Sequence, residues 1–309
     1  MVKILRNIIL AQYSNYKVGG PADYFCSVKN EEELFEAIHF AKKLSLAIFI
    51  LGGGTNILFS DRGFRGLVIK IENKELVRKG QEIKVGAGLK FEELLNFAVN
   101  QELAGLEWAG GLPGTIGGAV RMNAGCFGSE VKDSLKEVYV FDLRSSQIKK
   151  YQNSDCAFGY RSSRFQDGQE VILSAVFQLK PGNKYFLQKI VQEKINFRKS
   201  RHPLEYPNCG SFFKNVPLVK VSEELKKRFS EKIKNDPFPV LPTAVLIAAL
   251  NLQGFRVGGA KVSEKHAAFI VNDKGAKASD IFAVKEAVKE KVREAFGIEL
   301  EEEVQLVGF

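Results

Sequence analysis

The sequence predicts an α+β fold in two units, a strand-rich N-terminal region and a smaller C-terminal region of mixed helices and strands. Three observations carry this. The 309 residues exceed what one hydrophobic core usually organises, so two or three packed units are expected. Hydrophobic residues make up 45% and charged residues 26%, ample material for cores and too apolar for intrinsic disorder. Short strand patterns fill most of the chain up to the Pro181-Gly182-Asn183 triplet, and helical patterns become frequent beyond it. The domains are therefore read as 1–182 and 183–309.

Gly19-Gly20-Pro21 breaks any helix ahead of an alternating strand at 22–28. Glu31–Lys43 reads as a helix, with Asn30 to cap it, three glutamates at its positive end, and an apolar stripe of Leu34, Ala37, Ile38 and Ala41. A buried strand at 47–51 runs straight into Gly52-Gly53-Gly54-Thr55-Asn56. Short strands follow at 67–71, 76–78 and 83–86, then a helix at 91–101. Residues 105–128 hold eight glycines and read as too irregular for a helix or a long strand. Strands resume at 138–142, 148–151 and 171–180. The second unit reads as an amphipathic helix at 184–199, helices at 222–234, 243–250 and 279–296, and a buried strand at 267–271. A closing strand at 300–307 carries Glu301, Glu302 and Glu303, and alternation then turns at least one of them inward.

The net charge of +9 and pI near 9.2 suit anionic small molecules or nucleic acid. No zinc-finger, RNP or helix-turn-helix signature accompanies the scattered basic residues, so no nucleic-acid partner is expected. Cys26, Cys126, Cys156 and Cys209 lie far apart with no metal spacing, which fits a reduced cytosolic protein. The three histidines form no ligand pair, so no metal is expected. The longest apolar run, 244–250, is far short of a bilayer span, and no export signal or membrane partner is read.

Chemistry could sit in five places. The loop at 52–56 offers backbone N–H groups of the kind that bind phosphate, or it is a plain turn; it is neither a P-loop nor a dinucleotide fingerprint. GGLPGTIGGAV at 110–120 adds a second glycine segment with Thr115 as a hydroxyl donor, and two such segments raise the case for a gripped diphosphate. GYRSSRF at 159–165 carries two arginines three apart, suited to a carboxylate or enolate, or merely a solvated turn. Ser211 stands between Gly210 and two phenylalanines with no nucleophile elbow, so it is a hydrogen-bonded core serine or a proton donor. Cys209 reads as a small buried hydrophobe, and His266 as a satisfied core histidine by default.

Taken together, GGPADYF, LGGGTNIL, GLEWAGGLPGTIGGAVRMNAGCFG, FGYRSSRF, NCGSFFKN and GGAKVSEKHAAFIVN resemble, in that order, the UDP-N-acetylenolpyruvoylglucosamine reductase family. The match covers nearly the whole chain. A tyrosine-bearing loop of the longer members is missing before Ser211, so the resemblance is to the shorter, type II form. It implies a two-lobed FAD-binding domain of the vanillyl-alcohol-oxidase (PCMH) type, with lobes at about 1–70 and 71–182, and an α+β substrate-binding domain at 183–309. Non-covalent FAD would lie near Gly52, Gly53, Gly54, Thr55, Asn56 and Ile57, near Pro113, Gly114, Thr115, Gly117 and Gly118, and near Asn123, Ala124 and Gly125.

The resemblance further implies that NADPH, as co-substrate, reduces the flavin and leaves, after which the enolpyruvyl UDP-sugar enters the same pocket. Hydride then passes to C3 of the enolpyruvyl group, and charge builds on C2 and its carboxylate. Arg161 and Glu303 would stabilise that enolate, and Ser211 would protonate C2. Glu303 is chosen because the family's glutamate immediately precedes a valine, here Val304. Lys199 or Arg201, Asn215 and His266 fall where members contact substrate phosphates and sugar. Val216 splits the family's asparagine-proline pair, and Gln305 stands where some relatives carry arginine. A cytoplasmic monomer in peptidoglycan precursor synthesis is the resulting expectation. The rivals are another FAD oxidoreductase of this fold and a non-catalytic nucleotide- or RNA-binding protein.

Overall fold

Two compact units appear in the computed structural model, which describes residues 2–236 and 238–309. The first comprises residues 1–8, 22–53 and 65–198, and the second residues 9–21, 54–64 and 199–309. This division differs from a single cut at 182/183. The helix Lys184–Arg201 stays with the first unit as far as Arg198, and two N-terminal segments belong to the second.

In the first unit one sheet has the strand order Leu5–Ile9, Pro21–Val28, Phe64–Ile71, Ile48–Leu51, the last two running parallel with Ile48 opposite Leu67. The helix Glu31–Lys43 connects two of these strands, and the Asn30 side chain accepts from the Glu33 N–H at 2.9 Å, as the sequence predicts. Its stripe of Leu34, Ala37, Ile38 and Ala41 is fully buried. A second, antiparallel sheet has the order Gln147–Gln152, Leu135–Asp142, Glu170–Gln178, Glu82–Gly86, Leu76–Lys79. One apolar core runs through the unit, from Cys26 and Leu34 through Phe91, Trp108 and Phe177 to Leu187.

Two expectations for this unit are corrected. The glycine-rich stretch contains a short helix, Ile116–Arg121. It forms despite Gly117 and Gly118 because the N–H groups of Ile116 and Gly117 donate to the carbonyls of Leu89 and Ala87, both at 2.9 Å. The helix Lys184–Arg201 buries only Leu187 fully, with Tyr185 and Phe186 on its exposed side, so its amphipathic face is narrow.

In the second unit Ile57–Phe59 pairs in parallel with Gln305–Val307, so the residues after the first glycine loop are bound to the chain's last strand. Two small antiparallel sheets, one around Pro239–Leu241 and one around Ala260–Val262, pack with helices Glu223–Arg228, Thr243–Ala249 and Ala278–Phe296. Three further expectations shorten here. The closing strand is only Gln305–Val307, because Glu301–Glu303 meet the neighbouring segment through one isolated bridge, Glu302 to Phe213. The strand expected at 267–271 is Ile270–Asn272, although 267–271 are all buried. The helix expected at 222–234 ends at Arg228 and is followed by a single 3-10 turn. Among the described residues no helix is long and apolar enough to cross a membrane.

Candidate active site

The first unit builds a cradle from two backbones that only glycine lets approach. A Cβ on Gly52 would lie 2.6 Å from the Thr115 Oγ1, and one on Gly53 would lie 3.1 Å from the Gly114 Cα. Thr115 precedes the short helix, yet its hydroxyl caps nothing and is buried without a hydrogen-bond partner. A buried hydroxyl left over in a native fold normally awaits a ligand or a water. The Gly117 N–H is not available to a phosphate, since it is already taken by the Ala87 carbonyl, and a Cβ on Gly117 would lie 3.0 Å from the Ala87 Cβ.

Beside this cradle, two stretches expected in separate roles form one hydrogen-bonded patch. Gly159 and Ser162 exchange backbone bonds at 3.1 and 3.2 Å, making a two-residue turn with Arg161 in the left-handed region at φ +50°. The Arg161 guanidinium donates to the Gly125 carbonyl at 2.7 Å and lies 5.0 Å over the Tyr160 ring. Asn123, fully buried, donates to the Gly159 carbonyl at 3.0 Å and accepts from the Lys132 N–H at 3.1 Å. Asn123, through Gly159, and Gly125 thus set the position of Arg161, which no spacing in the sequence signals.

Glu130 is a residue that sequence reasoning missed. It stands opposite Gly125 in a two-residue ladder. The Lys132 Nζ holds one carboxylate oxygen at 2.8 Å, and the other, Oε1, is buried with no partner. In GSEVKD a glutamate reads as ordinary surface charge, so the signal is purely structural.

The remaining site residues lie in the second unit. Gly54, Thr55, Asn56 and Ile57 follow the crossing point at 53/54, and Lys199, Arg201, Ser211, Asn215, His266 and Glu303 come from the C-terminal part. The segment 211–214 runs between two neighbours. On one side Ser211 bridges Phe269 and the Phe212 N–H donates to the Ala268 carbonyl at 2.8 Å. On the other the Glu303 N–H donates to the Phe212 carbonyl at 2.8 Å, and the Lys214 N–H to that of Glu301 at 2.9 Å. Ser211 is therefore one residue from the carbonyl that receives Glu303.

The three glutamates differ in their partners. Glu301 is held by Lys220 at 2.6 Å, with Lys214 at 3.6 Å, and these lysines keep its carboxyl below the usual range. Burial works against the Glu302 charge, but Lys289 at 2.8 Å and Lys285 at 3.4 Å outweigh it, and its carboxyl too sits low. Glu303 is half-buried, with its main chain latched from both sides. The Asn56 side-chain amide donates to its carbonyl at 2.9 Å, and the Gln305 N–H donates to the Asn56 carbonyl at 3.0 Å. The Asn56 side chain, expected near the cofactor, is thus engaged by Glu303.

Cys209 is no nucleophile. It is buried, and burial pushes its thiol up to about 12. The His266 Nδ1 accepts from the Ala268 N–H at 3.3 Å, which leaves the ring proton on Nε2. Burial, then the charges of Lys234 and Arg201, lower its pKa and keep the imidazole neutral. Its ring stands edge-on to His202 at 5.7 Å, and Phe269 touches both. Lys199 and Arg201 are exposed, and Asn215 accepts from the Thr243 N–H at 3.3 Å.

Comparison with known proteins decides what this constellation belongs to. Over 307 residues the chain is 37% identical to the UDP-N-acetylenolpyruvoylglucosamine reductase of Carboxydothermus hydrogenoformans, covering 99% of this chain and 94% of the relative. The chain belongs to the UDP-N-acetylenolpyruvoylglucosamine reductase family. The enzyme of the same name from Fervidobacterium nodosum is 39% identical over 299 residues, covering 96% of this chain and 89% of the relative. Residues 202–307 match the C-terminal domain model of this family, and residues 22–150 match an FAD binding domain model. The crystal structure of UDP-N-acetylenolpyruvylglucosamine reductase from Thermus caldophilus superposes with a TM-score of 0.80 at 29% identity, covering 99% of this chain and 100% of that one. The cradle of Gly52, Gly53 and Thr115 lies within the FAD-matching region, and its orphaned hydroxyl fits a ligand rich in polar groups.

Proposed function

We propose that this protein reduces UDP-N-acetylglucosamine enolpyruvate to UDP-N-acetylmuramate at the expense of NADPH, through non-covalently bound FAD, in the cytoplasm during peptidoglycan precursor synthesis. The observation that carries this reading is the bond from the Glu303 N–H to the Phe212 carbonyl, which sets the terminal glutamate beside the Ser211 segment in a chain of this family. The FAD-binding role is assigned to 1–182 and the substrate role to 183–309, supported by family matches at 22–150 and 202–307 that leave the 182/183 cut between them.

Bound FAD supplies the two-electron relay between the nicotinamide and the enolpyruvyl double bond. Everything else falls to side chains. Arg161 keeps its charge at any working pH and is held at Gly125, so it offers a fixed donor to charge developing on the substrate carboxylate. Glu303 shares that task. The Ser211 hydroxyl gives its proton to C2, and a positioned acid of this kind typically contributes about 10²–10⁴-fold. Neutral His266, with Nε2–H free of its Nδ1 bond to Ala268, donates to a sugar or phosphate oxygen without adding a buried charge. Lys199 or Arg201, together with Asn215, contacts the substrate phosphates and sugar, and the protein acts as a monomer.

The test is an assay of the purified flavoprotein with NADPH and the enolpyruvyl UDP-sugar. NADPH consumption that depends on the sugar, in a one-to-one ratio with UDP-N-acetylmuramate formed, is expected. Rapid NADPH oxidation by oxygen alone, with no muramate product, would overturn it.

A further inference from the structure

Glu130 carries chemistry that no assigned role uses. Its carboxylate is almost wholly buried, and its two oxygens are in different states. Oε2 receives the Lys132 Nζ at 2.8 Å, while the Glu130 backbone N–H donates to the Asp133 carboxylate at 2.8 Å. Oε1 is buried and receives nothing. An ionised carboxylate is a pure acceptor, and leaving one of its oxygens dry and unpaired costs several times what a neutral group would. The missing partner must bring an N–H or O–H.

Its position narrows the partner. Glu130 stands opposite Gly125, whose carbonyl holds the Arg161 guanidinium at 2.7 Å, and Gly125 follows directly on Asn123 and Ala124 of the cofactor segment. A diphosphate would be repelled by a second anion here, so the group facing Oε1 comes from another part of the cofactor. Within a flavin dinucleotide the donors suited to an acceptor-only group are the imide N–H of the isoalloxazine and the ribityl hydroxyls.

We infer that Glu130 is a flavin-binding residue whose Oε1 accepts a hydrogen bond from the imide N–H or a ribityl hydroxyl of FAD. This rests on the FAD-dependent reading above. Glu130→Gln tests it with little change of shape. The amide oxygen stays on the Lys132 ammonium, the backbone bond from residue 130 to Asp133 is untouched, and the NH2 replaces Oε1 with a donor facing a donor.

The measurement is the rate of FAD loss from the holoenzyme on dilution, followed by the recovery of free flavin fluorescence. Loss of a charge-assisted bond is expected to speed release about 10-fold or more. Glu130→Asp, which keeps the charge but shortens the reach, is expected to loosen FAD as well and serves if Glu130→Gln does not fold. Lys132→Met, which leaves Oε1 in place, is expected to retain FAD near the wild-type rate.

Incubating holoenzyme with an excess of N3-methyl-FAD separates the two donors. A preference for FAD that disappears in Glu130→Gln identifies the imide N–H. A preference unchanged in the variant, alongside faster FAD release, identifies a ribityl hydroxyl. Release of FAD from Glu130→Gln at the wild-type rate would overturn the inference and leave Glu130 as the ion-pair partner of Lys132 alone. A wild-type protein that neither carries nor takes up FAD would instead sink the flavin reading itself.

Discussion

The Asn56 side-chain amide donates to the Glu303 main-chain carbonyl at 2.9 Å, joining residues 247 apart in sequence. With the Gln305 N–H on the Asn56 carbonyl and the Glu303 N–H on Phe212, the terminal glutamate has little freedom of backbone movement. Asn56→Ala removes one of these bonds without touching the carboxylate. Substrate reduction is expected to slow by about 10-fold, the effect of losing roughly 1.4 kcal/mol of positioning. Flavin reduction by NADPH should change far less. Equal slowing of the two half-reactions, seen by stopped flow, would assign Asn56 to the cofactor instead.

Gly52 faces the Thr115 hydroxyl so closely that any Cβ forces that hydroxyl aside. Gly52→Ala is expected to release FAD about 10-fold faster, and Thr115→Val to do the same, by loss of one hydrogen bond to the cofactor. If both act through the hydroxyl, the double variant should release FAD no faster than either single one. Additive effects in the release rates would show that Gly52 matters by another route.

His266 gives a pH dependence with a definite sign. Its folded pKa lies below the ordinary 6.5, chiefly through burial and then through Lys234 and Arg201. As pH falls below about 6.5 the unfolded chain binds a proton that the folded chain refuses, so stability drops until the lowered folded pKa is reached. Above that window the contribution is fully present. His266→Gln should flatten this part of the difference in urea midpoint between a pH above and a pH below the ordinary 6.5. An unchanged pH profile would show that the imidazole is not held neutral by its surroundings.

Asp61 caps a helix from far away in sequence. Its carboxylate oxygens accept the N–H groups of Ala278 and Ser279 at 2.8 and 2.9 Å, at the start of the helix Ala278–Phe296. Burial is the largest single influence and opposes its charge, but the bonds from Ser279 and Ala278 and the charge of Lys277 together outweigh it and hold its pKa below the ordinary value. Asp61→Ala is expected to cost about 1 kcal/mol at neutral pH, and the cost should fade below about pH 3.8, where the unfolded carboxyl is protonated. Thermal unfolding at the two pH values checks both parts.

What could be read from the sequence was what is local. The helix Glu31–Lys43 is fully written in its own residues, with Asn30 for the cap, Glu31 to Glu33 at the positive end and a stripe of four apolar positions. The helix Ile116–Arg121 is not, because Gly117 and Gly118 argue against it and its support comes from Ala87 and Leu89. The same contrast governs the site. Arg161 and Ser211 stand in recognisable motifs, but Asn123 on Gly159 and Asn56 on Glu303 are contacts across long loops that no periodicity encodes. Residues 54–64 join the second unit through the parallel pairing of Ile57–Phe59 with Gln305–Val307, which only the folded chain reveals.

The role given to the Ser211 hydroxyl is met most directly by anaerobic stopped flow on Ser211→Ala. Flavin reduction by NADPH should proceed at the wild-type rate, while reoxidation by the enolpyruvyl UDP-sugar should slow at least about 100-fold, as for a lost general acid. Reoxidation at the wild-type rate, or slowing of both half-reactions by the same factor, would contradict it.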